Sequence, residues 1–376
     1  MNATANVDGR RARLVAQLRK DGLDAALVCS YENVSYLAGT HMLTQIMVPD
    51  RLAFVVIGPG DETSLLVCNI EESQVRAQSD ITDVRAYVEF EDDPTKALVT
   101  LLRERGRLRS LAYEARRLPA GALVTLQREL PEIELRPFDP HLDELQGVKT
   151  PAEIELLRDS ANATLDAVLK TIVEVDSGQT ERGVSNLIHR RLVESGGDPT
   201  FLVFAAGERT MHGHPEPRDE LLTPGAIWRT DLGARYRLGF NSDVARTGVV
   251  GEPAAAQAQT FAALHAAQGA AIALAEPGRP AKELFEACRA TAVREGLSFT
   301  MPHIGHGLGI GLHEQPMLEP RNDQRLHAGM VLNIEPLVIV ADRHEAYHTE
   351  DLILVGENGP VLLTQPQAEL LRIPAR

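Results

Sequence analysis

Gly305-His306-Gly307-Leu308-Gly309-Ile310-Gly311-Leu312-His313-Glu314-Gln315-Pro316 sets two histidines among four glycines beside one acid. Short apolar segments on either side carry further acids: Asp231 and Asp243 upstream in DLGARYRLGFNSD, Glu335 in NIEP and Glu350 in HTED downstream. One neutral imidazole with four carboxylates is an oxygen-rich donor set for two divalent metals. The absence of thiolate suits Mn, Co, Zn or Fe. Four carboxylates also balance two dications, so the cluster could be buried without stranding charge.

Two spacings carry geometry. Asp231 and Asp243 are equidistant from Arg237, and Leu232 to Ser242 reads as a hairpin turning near Arg237-Leu238-Gly239. Mirror positions on an antiparallel hairpin face one side, with Cβ atoms roughly 4.5–5.5 Å apart. Glu335 and Glu350 are expected to repeat this across a turn near Asp342-Arg343, over a longer loop whose register is less tightly specified. The glycines around His306 let backbone and substrate approach closely. Each acid or histidine alone has an ordinary reading as a cap, a turn or a hydrogen-bonded side chain. Five in this order outweigh it.

At 376 residues, the chain is long enough for about two domains with substantial cores. Hydrophobic residues at 44% and charged residues at 24% are those of an ordinary globular protein. A net charge of −15 argues against nucleic acid as a partner. Cys29, Cys68 and Cys288 are odd in number and widely spaced, which suits a reducing compartment and no disulfide framework. The N-terminal segment lacks a signal-type apolar core, and Ala254 to Ala275 is too weakly apolar for a membrane span. The latter reads as a buried helix. The expectation is a cytoplasmic protein with no membrane partner.

In order, Asp8–Asp21 reads as an amphipathic helix and Asp24–Cys29 as a buried strand. Strand runs Leu52–Ile57 and Ser64–Cys68 flank the turn Gly58-Pro59-Gly60-Asp61. Helices near Pro94–Arg105 and Pro119–Leu130 alternate with strands such as Leu111–Tyr113, an α/β pattern without a catalytic constellation. Phe138 to Lys149 reads as a linker. A helix then opens at Thr150-Pro151-Ala152-Glu153, with Thr150 as N-cap, Pro151 at the first position and Glu153 closing a capping box. A second runs from about Thr180 to Glu194 and ends at Gly196-Gly197. Helices Ala254–Ala275 and Ala281–Glu295 follow the strands that bear Asp231 and Asp243. The order helices, strands, helices, strands hints at two related halves, though no sequence repeat is visible.

The pieces Asp231-Leu232-Gly233, Ser242-Asp243-Val244-Ala245-Arg246-Thr247, GHGLGIGLHEQP, Asn333-Ile334-Glu335-Pro336 and Glu350-Asp351 resemble the pita-bread metallopeptidase family of prolidase, aminopeptidase P, methionine aminopeptidase and creatinase. KTPAEIELLR and GENGPVLLT extend the match over roughly residues 147–366. Tyr31 to Gly39 resembles the creatinase-type N-terminal domain. The resemblance implies an α+β architecture. A smaller α/β creatinase-like domain, 1–146, would precede a pita-bread catalytic domain, 147–376, of two pseudo-symmetric halves around a curved antiparallel sheet. It implies that Asp231, Asp243, His306, Glu335 and Glu350 ligate two divalent metals, manganese foremost, that activate a water. His313 would contact the substrate or the tetrahedral intermediate. The upstream active-site histidine would be His214, because Pro217, Leu222 and Gly225 then fall where the family has its proline, leucine and glycine; His212 stays open as the alternative and as a substrate contact. Homodimers are the family expectation.

All five ligand positions are kept, so the resemblance implies a metal-dependent hydrolase, first an Xaa-Pro peptidase of aminopeptidase or dipeptidase type, with small peptides as substrates. A proline imide lacks an N–H and fixes φ, and metal polarisation of its carbonyl suits it. One departure bears on the substrate: His348-Thr349-Glu350-Asp351 stands where prolidases and aminopeptidases P have Arg-Ile-Glu-Asp, which makes His348 a substrate-binding candidate. Ala341–Tyr347 also lacks the family's usual glycine pair. The alternative enzyme hydrolyses a non-peptide amide or ring C–N bond in a small metabolite such as an ectoine-like compound. A catalytically silent binding protein is the remaining reading, and its sequence sign, lost ligands, is missing.

Overall fold

A computed structural model describes residues 4–48 and 50–375. The chain divides between Gln146 and Gly147 into two compact units.

In the first unit come α1 (Thr4–Asp21), β1 (Ala26–Val28), α2 (Tyr31–Ala38), α3 (Leu43–Met47), β2 (Phe54–Ile57), β3 (Thr63–Cys68), α4 (Glu72–Gln78) and β4 (Asp83–Tyr87). α5 (Pro94–Glu104), β5 (Ser110–Tyr113), α6 (Ala120–Glu129), β6 (Glu134–Pro137) and α7 (Asp139–Gly147) complete it. The six strands lie in the order β4-β3-β2-β1-β5-β6. β2 runs antiparallel to both β1 and β3, while the outer pairings are parallel. β1 and β2 are buried throughout, as their unbroken apolar runs require. Asp61, at φ 70°, takes the turn between β2 and β3. Phe138–Lys149, expected as a linker, is mostly the helix α7. Phe138, Leu142 and Leu145 recur at helical spacing and are buried, and Asp139 accepts the backbone N–H groups of Ala115 and Arg116 at 3.0 and 2.9 Å.

The second unit repeats one pattern. α8 (Pro151–Ile172), α9 (Glu181–Glu194), β7 (Asp198–Ala206), β8 (Ile227–Arg235) and β9 (Val244–Val250) form its first half. α10 (Ala255–Ile272), α11 (Ala281–Arg294), β10 (Gly305–Gly307), β11 (Val331–Ile334), β12 (Leu337–Val340), β13 (Glu345–His348) and β14 (Asp351–Gly356) form the second. β15 (Gly359–Leu362) and β16 (Leu371–Ile373) close the chain. α9 and α11 are both 14 residues long and offset by 100 in number. Each ends on a glycine at φ 85°, Gly196 or Gly296, whose N–H reaches the valine carbonyl three residues back at 3.0 Å. These halves share little sequence, so the repeat shows only in three dimensions. Thr150 and Glu153 make the expected capping box at the start of α8. α10, expected to be buried, hides one face, which includes Phe261, Leu264, Ala267, Gln268 and Ala271; its alanines tolerate water on the other.

The strands form three ladders: β10-β11-β14-β15, β12-β13, and β16-β9-β8-β7, in which β16 joins β9 in parallel. Among the described residues no helix is long and apolar enough to cross a membrane.

Candidate metal centre

β8 and β9 deliver the first two acids. Their register pairs Asp231 with Ala245 and Leu232 with Val244, so Asp243, one residue before β9, lies opposite Gly233. The mirror pairing read from the sequence is therefore two residues out. A two-residue slip preserves the face, because side chains alternate with period two, and both carboxylates still point the same way. Leu238, at φ 62°, takes the turn.

Glu335 and Glu350 do occupy mirror positions. β11 and β14 pair Ile334 with Asp351, and β12 and β13 pair Leu337 with His348, so one register runs through both ladders. The two glutamates sit where one ladder hands over to the other. His306 comes from β10, opposite Asn333.

The glycines beside His306 let the chain's own backbone and side chains approach closely, as expected. A Cβ on Gly305 would lie 2.0 Å from the Asn333 carbonyl oxygen, and one on Gly307 2.6 Å from that of Gln315. On Gly309 it would fall 2.3 Å from the Glu314 carboxylate. That carboxylate accepts the Gly311 N–H at 2.9 Å and pairs with Lys149 at 2.7 Å, both side chains being buried. Lys149, in the stretch read as a linker, thus anchors the loop that presents His313.

The five side chains converge. Donor atoms of Asp231, Asp243 and Glu350 lie within 4.8 Å of one another, as do those of His306, Glu335 and Glu350, and those of Asp243, His306 and His313. His306 Nε2 is 3.7 Å from Asp243 Oδ2 and 3.3 Å from Glu335 Oε1. The His306 and His313 rings stack at 4.0 Å.

Burial, then the neighbouring Asp231 and Glu335, push Asp243 well above the carboxylate range; burial, then Asp243 and Glu335, do the same to Glu350. Burial also raises Glu335, but the imidazoles of His348 and His306 outweigh it and hold that acid at about 2. Burial lowers His306 and His313, which favours the neutral, ligating form. Asp243 Oδ1, His306 Nε2, Glu335 Oε1 and both Glu350 oxygens are buried without a hydrogen-bond partner. Orphaned acceptors crowded with like charge are costly on their own. Divalent cations would satisfy all of them, so the residues present fit a metal centre.

A cavity of about 600 Å³ opens onto Asp231, Asp243 and Glu335. Its wall carries four imidazoles, from His214, His303, His313 and His348, and apolar side chains including Phe201, Val203, Leu312 and Leu337. Of the two upstream histidines, His214 lines this cavity. His212 does not; its carbonyl accepts from Arg229. His348 lies deeper than a surface contact, with Nδ1 3.8 Å from Asp231 Oδ2 and Nε2 3.7 Å from Glu335 Oε2. Sequence reading passes over His303, whose Nδ1 is 3.6 Å from Glu335 Oε1. Its spacing of three from His306 was the only signal.

Residues 155–357 match the sequence model of Metallopeptidase family M24, and residues 10–148 that of the Creatinase/Prolidase N-terminal domain. A Pyrococcus horikoshii Xaa-Pro dipeptidase is 28% identical over 96% of this chain and 97% of its own. The crystal structure of dipeptidase PepE from Mycobacterium ulcerans superposes with a TM-score of 0.87 at 27% identity, covering 99% of each chain. That of an X-Pro aminopeptidase from Thermotoga maritima gives 0.86 at 22% identity, over 96% of this chain and 99% of the other, a likeness of fold.

Proposed function

Because this chain belongs to metallopeptidase family M24 and carries the creatinase/prolidase N-terminal domain, we propose that it is a dinuclear Xaa-Pro peptidase, cleaving the bond before proline. The observation that carries this reading is the convergence of Asp231, Asp243, His306, Glu335 and Glu350, with orphaned buried oxygens on Asp243, Glu335 and Glu350, beside a cavity that Asp231, Asp243 and Glu335 line. Relatives named Xaa-Pro dipeptidase that match over nearly the whole chain support the substrate class.

Two divalent ions, manganese foremost, would be held by those five side chains, with Glu350 reaching both groups of donors. When bound, they supply Lewis acidity and a water of lowered pKa near neutral pH. The protein's part is orientation and proton handling. His313 and His214 stand at the cavity wall, where their imidazole N–H groups can donate to the scissile carbonyl oxygen and to the substrate's end. Glu335 serves as a ligand, since the His348 and His306 imidazoles hold it at about 2, and the proton that the leaving proline imide nitrogen needs to depart would pass through the imidazoles of the cavity wall. Phe201, Val203 and Leu337 offer an apolar surface for a proline ring and exclude water around it.

One observation favours a second reading. His348 stands against Asp231 and Glu335 in place of the arginine typical of peptidase relatives, which suits a small non-peptide amide. An assay with Mn or Co against an Xaa-Pro dipeptide, an Xaa-Pro-Yaa tripeptide and a set of cyclic amides separates the two. Turnover of peptides alone supports the peptidase; turnover of cyclic amides alone overturns it.

A cytoplasmic homodimer completes the proposal. The three cysteines are free and buried. In the first unit Met47, Ile70 and Phe90 are exposed, Phe90 by 97%, and Glu89 N–H to Asn69 ties the last two loops together at 3.2 Å. Exposed apolar side chains of this kind suit a subunit contact. Light scattering that returned a monomer would overturn the dimer.

A further inference from the structure

Beside the acids lies a buried polar knot that no ligand assignment uses. Arg246 follows Asp243 by three residues and is 1% exposed. Its Nη1 donates to the Ala245 carbonyl at 2.8 Å and to that of Glu350. Its Nη2 donates to Asp351 Oδ1 at 2.9 Å and to the Gln365 carbonyl at 2.8 Å. Asp351 Oδ1 also accepts from the Thr364 hydroxyl at 3.1 Å, and Oδ2 from Gln268 Nε2 at 3.1 Å. The same Gln268 nitrogen donates to the Ile334 carbonyl at 2.9 Å. The Glu350 N–H, in turn, donates to the Ala245 carbonyl at 3.2 Å.

Glu350 is thus gripped at both ends of its own backbone by β9, the strand that Asp243 leads into. The residue before Glu335 is gripped by α10 through Gln268. A well-packed apolar group could fill this volume at no loss of stability, since removing charges from water is costly. What the knot supplies is position: it ties the second-half acids to the first-half strand along directed bonds rather than non-directional packing. We propose that Arg246, Asp351 and Gln268 are positioning residues that set the spacing between Asp243 and the Glu335–Glu350 pair, and so decide whether a second cation can be held. The inference rests on the metal-centre reading above.

The test uses the full chain with the Gln268→Met and Arg246→Lys variants, and Thr180→Ala as a stability control. Thr180 caps α9 by accepting the Gly183 N–H at 3.0 Å and takes no part in the knot. Equilibrium dialysis against Mn, the visible spectrum of the Co form and the melting temperature of the metal-free protein are measured for each. Both knot variants are expected to bind the second equivalent about 10–100-fold more weakly, with an altered Co spectrum and a fall in kcat at near-constant KM. Thr180→Ala should melt lower with unchanged metal binding and spectrum. Knot variants with wild-type affinity and spectrum would overturn the proposal alone, as would a control that loses metal in proportion to its melting temperature. Wild-type protein that takes up neither metal overturns the metal-centre reading as well. Gln268→Met, which removes no charge, carries the test if Arg246→Lys does not fold.

Discussion

Glu335 and Glu350 face one another across the joint between two antiparallel ladders that keep a single register, Ile334 with Asp351 on one side and Leu337 with His348 on the other. Neither glutamate belongs to a named strand, so each is free of ladder regularity yet fixed by it on both flanks. This is a rigid way to aim two carboxylates at one point.

Asp243→Asn or Glu335→Gln removes a charge from a donor set whose other members stay buried. Turnover should fall by about 10²–10³-fold or more, the several kcal/mol that carbonyl polarisation and water activation supply. Bound metal, measured by elemental analysis, should fall with it. Unchanged metal and activity in either variant would refute the assignment.

Chelation should abolish activity, and Mn or Co should restore it. Asp243 and Glu350 resist ionising together in the metal-free protein, so cation binding should also stabilise the second unit. At a free metal concentration of 100 times Kd the gain is about 2.7 kcal/mol. That is a rise of roughly 5–10 °C in Tm for a unit of this size. The single tryptophan, Trp228, is fully buried in this unit and reports it by fluorescence.

His214→Ala should lower kcat/KM by about 10²–10⁴-fold, since His214 lines the cavity. His212→Ala should change it by only a few fold, because Arg229 uses the His212 backbone carbonyl and not its ring. The reverse order would exchange the two roles.

Lys149→Met leaves the Glu314 carboxylate buried without its cation, with side-chain exposures of 2% and 6% for the pair. The cost is about 3–5 kcal/mol, read as a lower urea midpoint of the Trp228 transition. The His313 loop should loosen, raising KM. A midpoint within error of wild type would show that water replaces Lys149.

Burial pushes the Cys288 thiol up to about 12, and raises Cys29 further with help from Glu114. Both thiols stay protonated in the folded protein while the unfolded chain ionises them near pH 9. The stability they contribute is therefore whole below that pH and is lost as pH rises toward 12. At pH 8 a disulfide reagent should modify no thiol quickly in the native protein and three in urea. Rapid native reaction would contradict the burial.

Local signals were legible where local physics decides. The capping box at Thr150 and Glu153 and the turn at Gly58–Asp61 follow from side chains a few residues apart. α7 departs from the expected linker because Phe138, Leu142 and Leu145 recur at helical spacing and bury one face. His303 escaped because a lone imidazole acquires meaning only from what it faces.

By itself the order of residues determined which acids and imidazoles could share one site, because the donor types and the alternation of strand faces are properties of the chain. Glu335 and Glu350 could be paired, and Asp231 and Asp243 put on one face, with no coordinates at all. Tertiary structure alone decided that Asp243 lies opposite Gly233, that the glycines yield space to Asn333, Gln315 and Glu314, and that Arg246 joins the two halves while Gln268 holds α10 to the Ile334 carbonyl. Those relations depend on packing between segments from a few to 104 residues apart, whose energies are set by mutual fit and leave no periodicity to read.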